Sequence, residues 1–326
     1  MANLVRRGML ASLLLMVGCG LASAEEGKRL PKIGVLYSTN PGIAKPADDA
    51  FRDGLRELGH IDGKNIIFLT RYAQGDYSQF PRLLHELIAE DVDVLFVSIS
   101  AVQAAMQATR TIPIVCAVMS DPVRDGLVAS FAHPGGNLTG GSSLGPDADT
   151  KRLQFAKEVV LGLKRVGLLY EATNPQYEAG AVANRALADG LGLSLHTYGV
   201  HNLEEIRRTF ARLEKDRIQA LIMWDTPLML LHRQTIMDLA SRKIPVIGQG
   251  PDLAHGGALI TYSAAGLEMW KQAAIYVDKI LKGTKPGDLP IYQPTKFTLR
   301  VNLKAAKELG ITIPEAILLQ ADEVIR

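Results

Sequence analysis

The feature that most constrains the fold is a strand–helix–strand pattern between Asp93 and Pro122. A short apolar run at 94–99 is followed by an alanine-rich segment at 101–109 and a second β-branched run at 112–118. Apolar runs of strand length joined through a helical segment are typical of a βαβ unit in a parallel sheet. Because ligands bind beyond the carboxyl ends of such strands, we expect the residues after them to line a crevice.

The same order of elements occurs twice along the chain. The first series starts with the strand Lys32–Tyr37, and the second starts with the strand Val166–Tyr170, at an offset of about 130 residues. Two similar lobes that face each other are the simplest explanation of this duplication. We therefore predict an α/β fold with two doubly wound, Rossmann-like lobes.

The C-terminal part contains more elements than two such lobes need. A strand at Leu259–Tyr262 is followed by a long helix at 264–282 and a tail at 290–326. This surplus fits a chain that crosses between the lobes near 138–142, 262 and 291. Several crossing strands make a hinge. The predicted N-terminal lobe is 30–140 plus 262–290, and the predicted C-terminal lobe is 141–261 plus 291–326.

The N-terminus predicts export. Two arginines precede an apolar run at 9–17, and small residues lead up to Ala24, so residues 1–24 form a predicted signal peptide. A second processing route stays open because residues 16–19 loosely resemble a lipoprotein box. In that case a lipid on Cys19 anchors the protein to a membrane. We predict no other attachment to a membrane. No later segment approaches the ~20 apolar residues of a membrane span.

Charge and cysteine content exclude several classes of function. Without residues 1–24, the chain keeps 34 basic and 34 acidic side chains, and no basic patch points to nucleic acid. Cys116 is then the single thiol, in an apolar strand pattern typical of a buried structural cysteine. Histidines without metal-ligand spacing and the lack of a phosphate-binding loop predict no metal and no cofactor.

Hydrogen-bonding and aromatic residues follow the predicted strands in both lobes. No arginine occurs at these strand ends, so the set suits a small neutral or cationic solute. An aspartate would pair with an ammonium group, and an aromatic ring would stack on a ring or a cation. The candidate ligand-binding residues are Ser38, Asn40, Ser98, Ser100, Ser120, Asp121, Tyr170, Asn174, Trp224, Asp225 and Gln249.

Several of these residues have a structural alternative. Asn40, Asn174, Asp121 and Asp225 lie beside or close to prolines, where such side chains often cap turns. Trp224 ends an apolar strand and equally suits a core position. The sequence leaves both interpretations open.

One pattern raises an enzymatic alternative. Residues 141–145 match G-x-S-x-G, and Asp225 and His255 follow in the order of the α/β-hydrolases. A nucleophile elbow requires a strand that runs straight into a helix, whereas Pro146 and Asp147 start the next helix late. We therefore predict no enzymatic activity and interpret this stretch as the first hinge crossing, with a serine hydrolase as the remote alternative.

The stretch Ala274–Gly283 resembles the C-terminal part of the tryptophan/tyrosine-type ABC transporter substrate-binding proteins. The resemblance spans nearly the whole chain, including the leader, Phe51–Asn65, Thr111–Gly140, Pro286–Leu289, Gln293–Phe297, Asn302–Pro314 and Ala321–Ile325. It implies a type I periplasmic binding protein fold whose lobes close on a small solute. The chain departs from the family pattern at Ile99 and Ser100, where similar sequences often have Thr-Pro. This departure weakens the prediction that the ligand is an amino acid.

The function implied by this resemblance is extracytoplasmic solute capture. We expect a monomeric periplasmic protein that binds a small molecule, such as an aromatic or other amino acid. The resemblance implies delivery to an ABC permease that has a separate ATPase subunit. The alternative is an exported ligand sensor that hands its signal to a membrane receptor.

Overall fold

Each of the two lobes is built on one sheet. The computed structural model describes residues 29–241, 243–264 and 266–326, so the predicted leader and Cys19 lie outside the described residues. The first sheet is parallel, in the order β2-β1-β3-β4-β5. Its strands are β1 (Lys32–Tyr37), β2 (Ile67–Tyr72), β3 (Val94–Val97), β4 (Ile114–Met119) and β5 (Leu138–Ser142).

The second sheet has the order β12-β11-β10-β9-β8-β6-β7. Its β10 and β11 pair antiparallel, whereas the other neighbours pair in parallel. Its strands are β6 (Arg165–Glu171), β7 (Ser194–Val200), β8 (Ala220–Met223), β9 (Val246–Gly248), β10 (Ile260–Ala264), β11 (Phe297–Asn302) and β12 (Glu323–Ile325).

Helices cover both sheets, as parallel βαβ connections require. In chain order they are α1 (Pro41–Glu57), α2 (Phe80–Ala89), α3 (Val102–Ala108), α4 (Gly145–Val159), α5 (Pro175–Gly190), α6 (Leu203–Lys215), α7 (Pro227–Leu231), α8 (Arg233–Ala240), α9 (Pro251–Gly256), α10 (Gly266–Leu281), α11 (Leu303–Leu309) and α12 (Glu315–Leu318). Among the described residues, none of these helices has both the length and the apolar character needed to cross a bilayer.

Helix α10 returns from the second lobe to pack on the first. It lies against α1, where a Cβ on Gly54 would stand 2.9 Å from the Cβ of Ala274, so glycine allows the two helices to approach closely. Beneath α1, the ring of Phe51 stacks on Phe96 of β3 with centroids 3.8 Å apart. The last third of the sequence thus completes the core of the first lobe.

The chain passes between the lobes after Ser142, after Ala264 and after Tyr292. The backbone N–H of Ser142 donates to the Tyr292 carbonyl over 2.8 Å, and the Tyr292 N–H donates to the Gly140 carbonyl over 2.9 Å, so two of the crossing segments are bonded together. β5 continues through Ser142 and β10 continues through Ala264, so each of these strands ends where the chain leaves its lobe.

Candidate ligand-binding site between the lobes

A cavity of about 440 Å³ lies between the two lobes, where strands of both sheets end. This volume is within the range that small-molecule sites occupy. The predicted candidates that line it are Ser38, Ser98 and Ser120 from the first lobe and Trp224, Asp225 and Gln249 from the second. The parallel topology brings these residues together, because the carboxyl ends of all strands in a parallel sheet meet at one edge.

The other predicted candidates are not among the residues that line the cavity. Asn40 accepts from the N–H of Ile43 over 3.0 Å and caps α1, and Asn174 accepts from the N–H of Gln176 over 2.9 Å and caps α5. Both asparagines therefore cap helices, which is the structural alternative given above for these side chains. A free N–H at a helix start needs an acceptor, and the side chain of the residue directly before the helix can supply it.

Asp121, Tyr170 and Ser100 are likewise placed outside the cavity lining. The Asp121 carboxylate accepts from the N–H of Arg124 over 3.0 Å. Tyr170 is buried in the core of the second lobe, where its ring lies 6.2 Å from that of Trp224. Ser100 is buried in the short turn Ile99–Ala101 that follows β3.

Asp225 supplies a fixed carboxylate with one oxygen available to a ligand. Its Oδ2 accepts from the N–H of Gly250 over 2.8 Å, and its own N–H donates to the side chain of Gln249 over 3.1 Å. Its Oδ1 is buried and has no hydrogen-bond partner among the residues that the structure describes. Burial raises the pKa of Asp225 to about 6, because the charged form loses contact with water. An ammonium group beside Oδ1 would restore the lost stabilisation.

Gln176 supplies a donor to the same cavity. It lies in the first turn of α5, and its Nε2 is buried without a hydrogen-bond partner in the described part of the chain. A buried donor left unpaired costs about 1–3 kcal/mol. The residues that line the cavity therefore include one with an unpaired buried acceptor, Asp225, and one with an unpaired buried donor, Gln176.

A buried carboxylate in α4 fixes the floor of the site. Asp149 accepts from Nη2 of Arg152 over 2.6 Å, from Nδ2 of Asn184 over 3.0 Å and from the indole N–H of Trp224 over 3.1 Å. The guanidinium of Arg152 also donates to the carbonyl of Tyr262. The charge of Arg152 is thereby neutralised and largely enclosed, with 2% of the side chain exposed.

Asp149 and Arg152 were not among the predicted candidates, because those candidates all follow strands and no arginine occurs at the strand ends. Asp149 and Arg152 lie within a helix, three positions apart, and both line the cavity. The available signal was that pair of opposite charges on the face of α4 that also carries Leu153 and Ala156, both buried. Charges on a buried helix face require partners.

Aromatic side chains form much of the remaining wall. Trp224 and Tyr177 come from the second lobe, and Tyr37 and Trp270 come from the first, with the latter two ring centroids 6.2 Å apart. Neither Tyr177 nor Trp270 was among the candidates predicted from the sequence. Their position at the cavity depends on where α5 begins and on the return of α10 to the first lobe.

The residues of the hydrolase pattern are not assembled into a triad. The Ser143 hydroxyl donates to the carbonyl of Met119 over 3.2 Å, and Asp225 is bonded to the backbone of Gly250. The His255 ring lies 3.4 Å from Glu323 at the surface of the second lobe. These side chains therefore lack the serine–histidine–carboxylate contacts that the remote alternative requires.

Two doubly wound lobes with a polar and aromatic cavity between them define a two-lobed solute-binding protein of the type I periplasmic binding protein fold. Residues 33–325 match the family model described as ABC transporter substrate binding protein, and the chain belongs to that family. This match confirms the resemblance inferred from the sequence.

Individual relatives agree with this assignment. The chain is 24% identical to a tyrosine-binding protein of Clostridioides difficile, over 88% of this chain and 83% of that protein. It is 26% identical to an ABC domain from Streptococcus pneumonia solved in complex with L-Trp, with a TM-score of 0.83 over 91% of this chain and 100% of that one. A conserved domain protein from Vibrio cholerae shares 26% identity, with a TM-score of 0.84 over the same shares. The predicted fold class is thus confirmed.

Proposed function

We propose that this protein captures an aromatic amino acid between its two lobes and delivers it to an ABC permease. Membership of the substrate-binding family makes the chain a binder of small solutes. The finer proposal depends on the combination of Asp225, Gln176 and the aromatic wall. The binding of tyrosine and tryptophan by two similar proteins supports it.

The single observation that carries the proposal is the pair of unpaired polar atoms in an aromatic cavity. Oδ1 of Asp225 would accept from the ammonium group of the amino acid, and Nε2 of Gln176 would donate to its carboxylate. The ligand ring would contact Trp224, whose indole N–H is already occupied by Asp149 and whose orientation is thus fixed. A fixed ring loses little freedom when it binds, which favours affinity.

Delivery to a permease outside the cytoplasm follows the role of the family in ABC importers. The predicted leader at 1–24 supports export and a periplasmic location. The ATPase of such a system would be a separate subunit, since the sequence contains no phosphate-binding loop.

Thermal unfolding of protein stripped of ligand tests the cargo. The compounds are L-tryptophan, L-tyrosine, tryptamine, indole-3-propionate and myo-inositol. Tryptamine keeps the ammonium group without the carboxylate, and indole-3-propionate keeps the carboxylate alone. We expect an aromatic amino acid at 100 times its Kd to add about 2.7 kcal/mol to the free energy of unfolding. Tryptamine should retain part of this effect and indole-3-propionate almost none.

Two matched variants make the test specific. Asp225→Asn should abolish the shift with amino acids, whereas Asp252→Asn, which removes an exposed carboxylate near the site, should preserve it. Stabilisation by myo-inositol or indole-3-propionate, without any by an aromatic amino acid, would contradict the proposed cargo.

A further inference from the structure

The lobes also approach each other beside the ligand cavity, where Tyr177 of the cavity wall neighbours Tyr77 and Glu171. Tyr77 lies in the short turn Tyr77–Gln79 of the first lobe, between β2 and α2, and Glu171 is the last residue of β6 in the second lobe. Neither residue is among those that line the cavity. Ser100, at the end of β3, lies beside the Tyr77 hydroxyl. Tyr77, Ser100 and Glu171 therefore lie next to the cavity without lining it.

The orientation of Glu171 is set by its own lobe. The side chain is 2% exposed, its Oε1 accepts from the Thr173 hydroxyl over 2.6 Å, and its Oε2 accepts from the N–H of Leu228 over 3.1 Å. A carboxylate has about four acceptor positions, so each oxygen retains capacity for another donor. Burial of a carboxylate is costly, and a further donor would lower that cost.

The first lobe presents two hydroxyl groups at this place. The Tyr77 and Ser100 hydroxyls are buried, and neither has a hydrogen-bond partner within the described residues. Burial, together with the neighbouring Tyr177 and Glu171, raises the pKa of Tyr77, while Ser100 acts in the opposite direction. Tyr77 therefore keeps its proton and remains a donor. Two buried hydroxyls of one lobe thus face a buried carboxylate of the other.

We propose that Tyr77, Ser100 and Glu171 form an interlobe latch that stabilises the closed arrangement. On closure, the Tyr77 hydroxyl donates to the Glu171 carboxylate, and the Ser100 hydroxyl donates to Tyr77 Oη. Separation of the lobes breaks the bond to Glu171, since Tyr77 and Glu171 belong to different lobes. The latch therefore acts on the equilibrium between open and closed forms and changes ligand affinity without contacting the ligand.

Tyr77→Phe is the primary test. It removes the hydroxyl and keeps the ring, which stacks on Phe80 with centroids 5.2 Å apart. The matched control is Tyr198→Phe, because the Tyr198 hydroxyl donates to Asp216 over 2.8 Å entirely within the second lobe. Each variant is compared with the wild type by stopped-flow fluorescence, with L-tryptophan and L-tyrosine as probes.

The latch predicts faster ligand release from Tyr77→Phe. We expect its dissociation rate to rise about tenfold, as for loss of one hydrogen bond to a charged acceptor. Tyr198→Phe should leave this rate unchanged. Glu171→Gln should release the probe faster as well, and the double variant should be little worse than either single one, since both remove the same bond. Equal rates for Tyr77→Phe and wild type, or strictly additive effects of the two changes, would overturn the latch.

The choice of L-tryptophan and L-tyrosine as probes rests on the proposed function. A second measurement therefore tests the latch independently of these ligands. If neither probe binds the wild type, the proposed cargo is wrong. Small-angle scattering of the unliganded proteins then decides the latch. A larger radius of gyration for Tyr77→Phe than for wild type and Tyr198→Phe supports it. Identical radii for all three proteins would overturn it.

Discussion

The indole N–H of Trp224 donates to Oδ1 of Asp149 over 3.1 Å, which ties the end of β8 to helix α4. The same carboxylate binds Arg152 and Asn184. One buried acid thereby orients an aromatic wall of the cavity and neutralises a buried guanidinium. This arrangement couples the shape of the binding site to the stability of the second lobe.

Asp149→Asn should destabilise the protein strongly. The change keeps the shape of the side chain but leaves the charge of Arg152 enclosed without its counterion. Removal of one partner from a buried pair costs about 3–5 kcal/mol. Urea unfolding followed by circular dichroism measures the loss. The control is Asp49→Asn, whose partner Lys45 is exposed, and where a loss below about 1 kcal/mol is expected. Similar losses in both variants would contradict this account.

Stability of the unliganded protein should depend on pH through Asp225. Its pKa in the folded state is about 6, above the ordinary value of 3.8. The folded state therefore binds this proton more tightly than the unfolded state. The resulting stability is fully present below the ordinary pKa and is lost as pH rises through about 6. Urea unfolding between pH 4 and 7, roughly the span of the two pKa values, should show this loss in the wild type and not in Asp225→Asn.

Affinity for an ammonium-bearing ligand should change with pH in the opposite direction. The ligand favours ionised Asp225, so L-tryptophan should bind more tightly at pH 7 than at pH 5, on either side of the Asp225 pKa of about 6. Calorimetric titration at the two pH values measures the difference. Tighter binding at the lower value would show that Asp225 does not hold the ammonium group.

Gly140→Ala should prevent stable folding. A Cβ at this position would lie 1.8 Å from the carbonyl oxygen of Cys116, and the φ angle of +144° is one that residues with side chains rarely adopt. We expect a loss of at least about 3 kcal/mol or no soluble protein. Gly190→Ala in α5 is the matched control, because no atom lies within 4 Å of its added Cβ. That variant should retain wild-type stability in thermal unfolding.

Cys116 should be inert in the native protein. Its side chain is 0% exposed, and burial raises the pKa of the thiol to about 12, so almost no reactive thiolate forms at pH 8. In a Cys19→Ser background, we expect reaction with a thiol reagent only after guanidinium is added. Rapid stoichiometric labelling without denaturant would show that the first lobe opens readily.

Local sequence signals predicted most elements and failed at specific places. The apolar run of β1 was assigned to the residues that form it, Lys32–Tyr37. Apolar residues at helical spacing predict the first helix from about Ala47 to Leu58. In the structure, α1 begins earlier, at Pro41, because Asn40 caps it and proline suits the first helical position, whereas Pro46 lies inside the helix. The apolar pattern located the buried face of the helix, and the cap located its start.

The sequence by itself determined the two lobes and the candidates Trp224, Asp225 and Gln249. Strand runs and their order are local, and parallel pairing then places all strand ends at one edge. Only the tertiary structure decided that Arg152 lies enclosed beside the cavity and that Trp270 lines it. Those positions depend on where the chain crosses between lobes and how helices pack afterwards. Such contacts join residues distant in sequence, which local periodicity does not encode.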